Sequence, residues 1–432
     1  MTAFQALRNK PTLSPYKKGD ILVLFGELFS RGYANGLVEE AERLGMTIVR
    51  ATVGRREKDG SLRPLNAEES QNIPQPFINI PLEAGFDLEP DDSGKAPVDY
   101  LKDIRLTDWQ SAVISSASVE QSRKKGEQRF RRQVQNFLSA LESHIPAGAK
   151  VVFAHLMAGG VPRAKIIMPL MNRAFKGTGE RYLESRSFWE SSIGQLCSTS
   201  FNEVTAETLR HLLELSKPLR EKITAQGGHV SYIGYGYHGT EVLYGNIYQW
   251  QTYAPYLQGW AKIKLENIAK KALSEGIACC IYNCPEILTN SSSIFQGVEV
   301  SLYPLLGALK KEVGHVPEVQ KILQECQSRL KPDITFESIL SQTEKFIQSD
   351  VIKKHSVYEQ WPQHSSAEQL QTMLEYSDYL VSLHTDEKNL ITGALSEAVF
   401  KSCGYVMLHD SFAPKYGTAW IGHDLVAKCF EK

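Results

Sequence analysis

The sequence has little of what marks membrane proteins and nucleic-acid-binding proteins. No stretch approaches the roughly 20 consecutive apolar residues that a membrane-spanning helix requires. The segment 1–20 contains no apolar stretch typical of a signal peptide. Lysine and arginine number 48 against 49 aspartates and glutamates, a formal net charge of -1, so no charge excess favours nucleic acid or a membrane surface. These absences predict a cytoplasmic protein whose partners include neither a membrane nor a nucleic acid.

Cysteine is also scarce. The seven cysteines are odd in number and scattered, and the closest group, from Cys279 to Cys284, lies in an apolar, strand-like segment with no second cluster. We therefore expect buried, reduced thiols and no metal site. In contrast, 42% of the 432 residues are hydrophobic, which is sufficient for a sizeable core in two lobes or in one domain with large insertions.

Apolar segments and helix-like segments alternate along the chain. The segment 20–26, a glycine turn, a helical pattern over 36–45 and the apolar segment 46–53 together form a βαβ unit. Such apolar runs are typical of strands that are buried on both faces of a parallel sheet. The alternation predicts a Rossmann-type, doubly wound parallel α/β sheet. The remaining predicted strands are 77–82, 150–160, 229–236, 277–284 and 404–412, and the remaining long helices are 122–144, 205–228 and the segment that contains Lys262.

The segments that interrupt this alternation predict additions to the core. Residues 1–294 are expected to form the core, with a polar insertion at about 83–121 that has no assigned role. Residues 295–398 have a mainly helical, polar pattern and predict a small lobe or lid. Residues 399–432 are expected to return to the sheet.

A glycine-rich segment, GELFSRGYANG, joins the first predicted strand to the first helix. Its glycines, Gly26, Gly32 and Gly36, do not follow the common G-x-G-x-x-G spacing. Even so, a glycine turn before a helix N-terminus lets the backbone approach a pyrophosphate. From spacing alone, a plain glycine-rich turn explains the segment equally well.

Basic residues gather after the second predicted strand. Arg50, Arg55, Arg56 and Lys58 lie where NAD-binding proteins usually place an acid. An arginine there fits a 2′-phosphate, so the sequence favours NADPH, with NADH less favoured. Arg55 and Arg56 fit this role best, and a solvated loop is the alternative.

Tyrosines and lysines crowd the start of a later helix, in TYAPYLQGWAKIKLENIA. Tyr253 and Tyr256 precede Lys262 and Lys264. A lysine beside a tyrosine can lower the pKa of the phenol and orient a cofactor ribose, and the tyrosine can then donate to a developing oxyanion. Only one of the two lysines can face a given site, because residues two apart point to different helix faces. An exposed amphipathic helix is the non-functional alternative.

Taken together, these blocks resemble the short-chain dehydrogenase/reductase superfamily, and in particular divergent bacterial enoyl-acyl-carrier-protein reductases of the FabMG type. FAHLMAGGVP (153–162), GWAKIKLEN and CPEILT (284–289) are similar to blocks of that family, and the resemblance covers roughly half of the chain. It implies NADPH-dependent reduction of the 2,3 double bond of an enoyl thioester in fatty acid synthesis, with acyl carrier protein as the carrier and a homo-oligomer as an allowed state.

The resemblance also implies roles for particular residues. Tyr253, with eight residues between it and Lys262, is the preferred catalytic tyrosine; Tyr256 is second, Tyr248 is third, and Tyr235 ends the fifth strand of the family. His155 either contacts the cofactor or caps a strand. The implied catalytic residues are Tyr253, Lys262, Tyr235 and Tyr256, and the implied cofactor-binding residues are Gly26, Ser30, Arg31, Gly32, Gly36, Arg55, Arg56, His155, Lys262, Pro285, Ile287 and Thr289.

Two other functions fit the same family resemblance. A carbonyl reductase would usually carry a serine at the end of the fifth strand, where this chain has Gly234 or Tyr235. The unusual tyrosine spacing would also suit a non-catalytic NADPH-binding sensor.

Overall fold

The computed structural model describes residues 4–12, 15–244, 247–251, 257–290 and 297–431. The strands are β1 (Ala6–Leu7), β2 (Ile21–Phe25), β3 (Thr47–Thr52), β4 (Arg55–Arg56), β5 (Leu62–Arg63), β6 (Phe77–Pro81), β7 (Lys150–His155), β8 (His229–Tyr235), β9 (Thr240–Tyr244), β10 (Ile247–Gln251), β11 (Ala278–Asn283) and β12 (Thr418–Ile421). The first helices are α1 (Ala34–Arg43), α2 (Ala67–Ser70), α3 (Ser116–Glu142), α4 (Ile167–Lys176), α5 (Ser185–Glu190), α6 (Ser192–Phe201), α7 (Thr208–Leu215), α8 (Lys217–Ala225) and α9 (Gly259–Ser274). The later helices are α10 (Val298–Leu302), α11 (Leu305–Val313), α12 (Pro317–Arg329), α13 (Phe336–Gln348), α14 (Asp350–Lys354), α15 (Ala367–Ser382), α16 (Thr392–Asp410) and α17 (His423–Lys428).

Eight parallel strands form the central sheet, in the order β1-β12-β11-β8-β7-β2-β3-β6. From β2 the chain winds outward through α1 to β3 and β6. It then crosses back through α3 to β7, on the other side of β2, and winds outward through β8, β11 and β12. The predicted doubly wound Rossmann-type sheet is confirmed. The strand order reverses between β2 and β7, and ligands of such sheets bind at the carboxyl edge of this switch point.

The sheet separates two apolar layers because successive side chains of a strand point to opposite faces. In β2, Leu22 and Leu24 belong to a cluster with α1 and helices α10 to α16, whereas Ile21, Val23 and Phe25 belong to a cluster with α3, α7 and α9. Every residue of β2 is buried, which explains why its sequence is continuously apolar.

A third apolar cluster lies beside the sheet. Phe86, Leu101 and Trp109, from the segment of the predicted insertion, pack in one cluster with Leu170 of α4 and Phe188 of α5. The first part of the segment 83–121 therefore supports helices α4 to α6. The division of the chain into core and lobe remains a prediction.

Two predictions of secondary structure are wrong. Residues 404–412, predicted as a strand, lie largely in α16, and the late strand of the sheet is β12. Helix α16 packs against α1 and α17 and is buried on several sides. Its sequence is therefore largely apolar over this segment, and hydrophobic periodicity cannot distinguish such a helix from a buried strand. The segment 205–228, predicted as one helix, contains α7 and α8, with Pro218 near the start of α8 and a π-helical turn at Asn202–Glu207.

All seven cysteines are free thiols and five of them are buried, as predicted. Within the described ranges, no helix is both long enough and apolar enough to cross a membrane.

Candidate active site

A cavity of 380 Å³ lies at the carboxyl edge of the sheet, at the switch point between β2 and β7. Its walls come from the segments that follow β2, β7, β8 and β11, together with α4, α6 and α9. A parallel sheet brings these strand ends together although they are far apart in sequence. The cavity is therefore the place where the predicted site residues can meet.

Lys262 lies in the first turn of α9 and lines this cavity. Its side chain is buried, and Nζ donates a hydrogen bond of 2.8 Å to the carbonyl oxygen of Tyr235. Burial lowers the pKa of Lys262 to about 8, and the nearby carboxylate of Glu266 opposes this shift. Lys264 points elsewhere and forms an ion pair with Glu207. Only one of the two lysines faces the cavity, as the helical periodicity predicts.

Tyr235 ends β8 and lines the cavity. Its ring stacks on that of Tyr33, with 5.5 Å between the ring centres and 26° between the planes. Tyr33 is itself held by a 2.7 Å hydrogen bond from its hydroxyl to the carbonyl oxygen of Pro285. The Tyr235 hydroxyl is buried and has no hydrogen-bond partner among the described residues, and burial raises its pKa well above the ordinary value. The phenol therefore keeps its proton at physiological pH, and that proton is donated to no other described residue.

His155 ends β7 and also lines the cavity. Its Nε2 lies 2.8 Å from the Thr208 hydroxyl, which itself donates to the carbonyl oxygen of Val204. Because that hydroxyl proton is already used, Nε2 must be the protonated nitrogen. Burial, and next the charge of Lys262, lower the pKa of His155 to about 3, so the ring is neutral at physiological pH.

The glycine-rich turn has two structural roles. Arg31 and Gly32 line the cavity, whereas Ser30 is exposed and does not. Gly26 has φ +130°, and a Cβ there would lie 3.0 Å from Leu156, so the turn passes close to the end of β7. Gly36 instead faces α16: a Cβ there would lie 1.8 Å from a backbone oxygen of that helix. The need for glycine at this position is therefore explained by helix packing and not by a phosphate.

The two arginines predicted to bind a 2′-phosphate are engaged with carboxylates. Arg56 is largely buried, and its Nη2 lies 2.6 Å from Glu83 and 2.9 Å from Glu89. Arg55 forms an ion pair of 3.0 Å with Glu27, and Glu27 lines the cavity. Neither arginine lines the cavity.

The segment after β11 forms the last wall. Ile287 and Thr289 line the cavity, and Pro285 contributes the carbonyl that accepts from Tyr33. Tyr253 and Tyr256 fall outside the described residues. Tyr248 does not line the cavity: it lies on β10 and its hydroxyl donates to Asp424 over 3.0 Å.

Sequence reasoning missed several residues of the cavity. Tyr33 lies within the glycine-rich segment, and its position there was the available signal. Met171 and Phe175 of α4 and Phe201 of α6 form an apolar wall. No motif marks these three residues, because their proximity to the cavity depends on the packing of the third cluster.

Comparisons with known proteins identify the chain. The family model of the enoyl-acyl carrier protein reductase FabMG matches residues 3–430. A solved apo structure of FabMG, described as one of the novel types of enoyl-acyl carrier protein reductase, is 44% identical; the match covers 100% of this chain and 98% of that chain, with a TM-score of 0.95. An NADH-bound structure of FabMG is 38% identical over 99% of this chain and 98% of that chain, with a TM-score of 0.79. Among curated proteins, none matches this chain.

The fold and the cavity at its switch point define an α/β oxidoreductase of the Rossmann type. More particularly, the chain belongs to the FabMG family of enoyl-acyl carrier protein reductases. The resemblance noted in the sequence is thereby confirmed.

Proposed function

We propose that this enzyme uses NADH to reduce the 2,3 double bond of an enoyl thioester carried by acyl carrier protein, with Tyr235 and Lys262 as its catalytic pair. The observation that carries this proposal is the buried Lys262 ammonium, held 2.8 Å from the carbonyl oxygen of Tyr235, a cavity-lining tyrosine whose own hydroxyl is unpartnered among the described residues. Such a hydroxyl is poised to donate to an oxygen that gains charge during reaction.

Each group has a role that its position supports. When bound, the reduced nicotinamide supplies a hydride for the β-carbon of the substrate, and the electrons of the double bond then move onto the thioester oxygen. Tyr235 would donate a hydrogen bond to that oxygen, and a proton added at the α-carbon completes the saturated thioester. Lys262 would bind the nicotinamide ribose through the ammonium N–H groups that do not donate to the Tyr235 carbonyl oxygen. Gly32, Arg31 and Thr289 line the cavity where the pyrophosphate would lie.

Two observations support NADH over the NADPH that the sequence favoured. A FabMG structure 38% identical to this chain is bound to NADH. In this chain, Arg56 already contacts two carboxylates, and Arg55 contacts Glu27. A 2′-phosphate would have to break these ion pairs to be recognised there.

The test is to measure turnover of crotonyl and acetoacetyl thioesters with NADH and with NADPH. We expect reduction of the crotonyl thioester, a higher kcat/KM for NADH than for NADPH, and no reduction of the acetoacetyl thioester. Reduction of only the acetoacetyl thioester would instead identify a carbonyl reductase.

The catalytic pair is tested with tyrosine variants. Tyr235→Phe removes the donor and should lower kcat by about 100-fold, the usual cost of one oxyanion donor, with the Kd for NADH retained. Tyr248→Phe is the matched control outside the cavity and should keep full turnover. Full activity of Tyr235→Phe together with loss in Tyr253→Phe would transfer the role to Tyr253.

A further inference from the structure

Glu266 lies one turn after Lys262 on the same face of α9 and is fully buried. Its Oε1 accepts a 3.0 Å hydrogen bond from Nδ2 of Asn283, and its Oε2 lies 3.3 Å from Nδ1 of His238. Nζ of Lys270, one turn further along the helix, lies 3.8 Å from Oε2. Glu266 is therefore a buried carboxylate placed between two lysines of the same helix.

Aromatic rings surround the His238 side chain that faces this carboxylate. The ring of His238 lies between those of Tyr358 and Trp361, with ring centres 4.6 Å and 4.5 Å away and planes tilted by 5° and 18°. The carbonyl oxygen of His238 accepts hydrogen bonds from the indoles of Trp250 and Trp420, at 2.8 Å and 2.9 Å. Glu266 itself is fully buried, and buried charges influence each other more strongly than charges in water.

The same residues hold the turn that contains Tyr235. The Asn283 side chain accepts a 2.7 Å hydrogen bond from the backbone N–H of His238, and the N–H of Gly236 donates to the carbonyl of Tyr282 over 2.8 Å. A Cβ on Gly236 would lie 2.2 Å from Oδ1 of Asn283, so the turn is pressed against this amide. Through Asn283, Glu266 supports the turn that supplies both the carbonyl for Lys262 and the phenol of Tyr235.

We infer that Glu266 is a positioning residue for the reduction: its carboxylate keeps the Lys262 ammonium charged, and its bond to Asn283 fixes the turn that holds Lys262 and Tyr235. This inference rests on the proposed function, because that function gives Lys262 its role. A merely structural Glu266 would support the fold without influencing the charge of Lys262.

The direction of the effect follows from the charges around the two groups. Lys262 faces the Tyr235 carbonyl and the neutral His155, and the charge of Glu266 opposes the effect of burial on the lysine pKa. Glu266 is in turn faced by Lys270 and His238, with Tyr358 and Cys280 also close to it. Without the carboxylate, burial is unopposed and Lys262 loses its proton at lower pH. Without Lys270, no second lysine shares the negative charge of Glu266, so Lys262 keeps its proton to a higher pH.

The test compares the pH dependence of kcat/KM for NADH in the wild type, Glu266→Gln and Lys270→Met. We expect the wild type to lose activity above pH 8, as Lys262 deprotonates. Glu266→Gln should lose activity at a pH lower by about one unit, because a nearby opposite charge shifts a pKa by about that much. Lys270→Met should shift the loss to higher pH. Structural damage alone would not move the two variants in opposite directions.

Two further variants complete the experiment. Glu275→Gln removes an exposed carboxylate at the end of the same helix and should leave the pH profile unchanged. Glu266→Asp keeps the charge, so it should keep the wild-type pH profile with a lower kcat. An unshifted profile in folded Glu266→Gln overturns the inference. Failure of the wild type itself to reduce a crotonyl thioester would instead overturn the proposed function.

Discussion

Gly36 of α1 and Gly404 of α16 lie backbone against backbone. A Cβ on Gly404 would lie 2.1 Å from the carbonyl carbon of Gly36. The atoms that it would meet belong to the backbone, so a change of side-chain rotamer could not make room for it. We expect Gly404→Ala to force the two helices apart and to lower the free energy of unfolding by about 3 kcal/mol, at the upper end of overpacking costs. Urea denaturation measures this loss.

Gly393 of the same helix is the matched control. The nearest atom to a Cβ there is the end of the Arg329 side chain, at 3.7 Å, which is an ordinary contact. Gly393→Ala should be neutral or stabilising by up to about 1 kcal/mol, because alanine favours helix more than glycine does. Equal losses in both variants would contradict close helix packing as the cause.

Acid should destabilise the protein through buried neutral histidines. His423 is fully buried, and burial lowers its pKa to about 3, with Asp424 opposing the shift. Between this value and the ordinary pKa of about 6.5, the unfolded chain binds a proton that the folded chain does not, so stability falls as pH falls. Between pH 6 and pH 4, the free energy of unfolding of His423→Leu should fall by about 1.4 kcal/mol less per pH unit than that of the wild type. Urea denaturation across this range measures the slope, and replacement of the exposed His144 should leave it unchanged.

Arg56 should be needed for stability and not for cofactor choice. Glu83 and Glu89 share two arginines, Arg56 and Arg129; Arg56→Met removes one of them and should lower the free energy of unfolding by about 3 kcal/mol. The ratio of kcat/KM for NADH to that for NADPH should stay the same. Arg55→Met breaks a more exposed pair with Glu27 and should cost less than about 1 kcal/mol. A selective loss of NADPH use in Arg56→Met would restore the 2′-phosphate role.

The apolar wall should influence which acyl chains react. Phe175 of α4 lines the cavity and belongs to the third apolar cluster, whereas Phe188 belongs to the cluster but does not line the cavity. Phe175→Leu should raise kcat/KM for a dodecenoyl thioester relative to a crotonyl thioester by about fourfold, the effect of one more buried methylene. Phe188→Leu should lower stability to a similar degree and leave this ratio unchanged. Equal ratios in the two variants would place the acyl chain elsewhere.

The sequence predicts the sheet better than it predicts the site. Strands such as β2 and β11 are short apolar segments that end at a glycine or before a proline, and this local pattern survives in the fold. The buried helix α16 carries the same kind of apolar run, so it was mistaken for a strand. Periodicity describes burial, and it cannot distinguish these two buried elements over so short a stretch.

Within the site, Lys262 and Tyr235 could be found because each lies in a segment that matches the family. Glu266 could not be found, since its importance depends on Asn283 and His238, which only the folded chain brings beside it. The roles of Arg55 and Arg56 were predicted from position along the strand. Their carboxylate partners come from separate loops, which local sequence does not reveal.

The apolar cluster that joins one face of the sheet to helices α10 to α16 limits how this enzyme can be shortened. A chain truncated before Val298 would leave residues such as Leu22 and Leu24 without their apolar cover. Such a fragment would be prone to aggregate and would not be a minimal reductase. Engineering of this enzyme should therefore alter side chains around the cavity and leave the carboxyl-terminal helices intact.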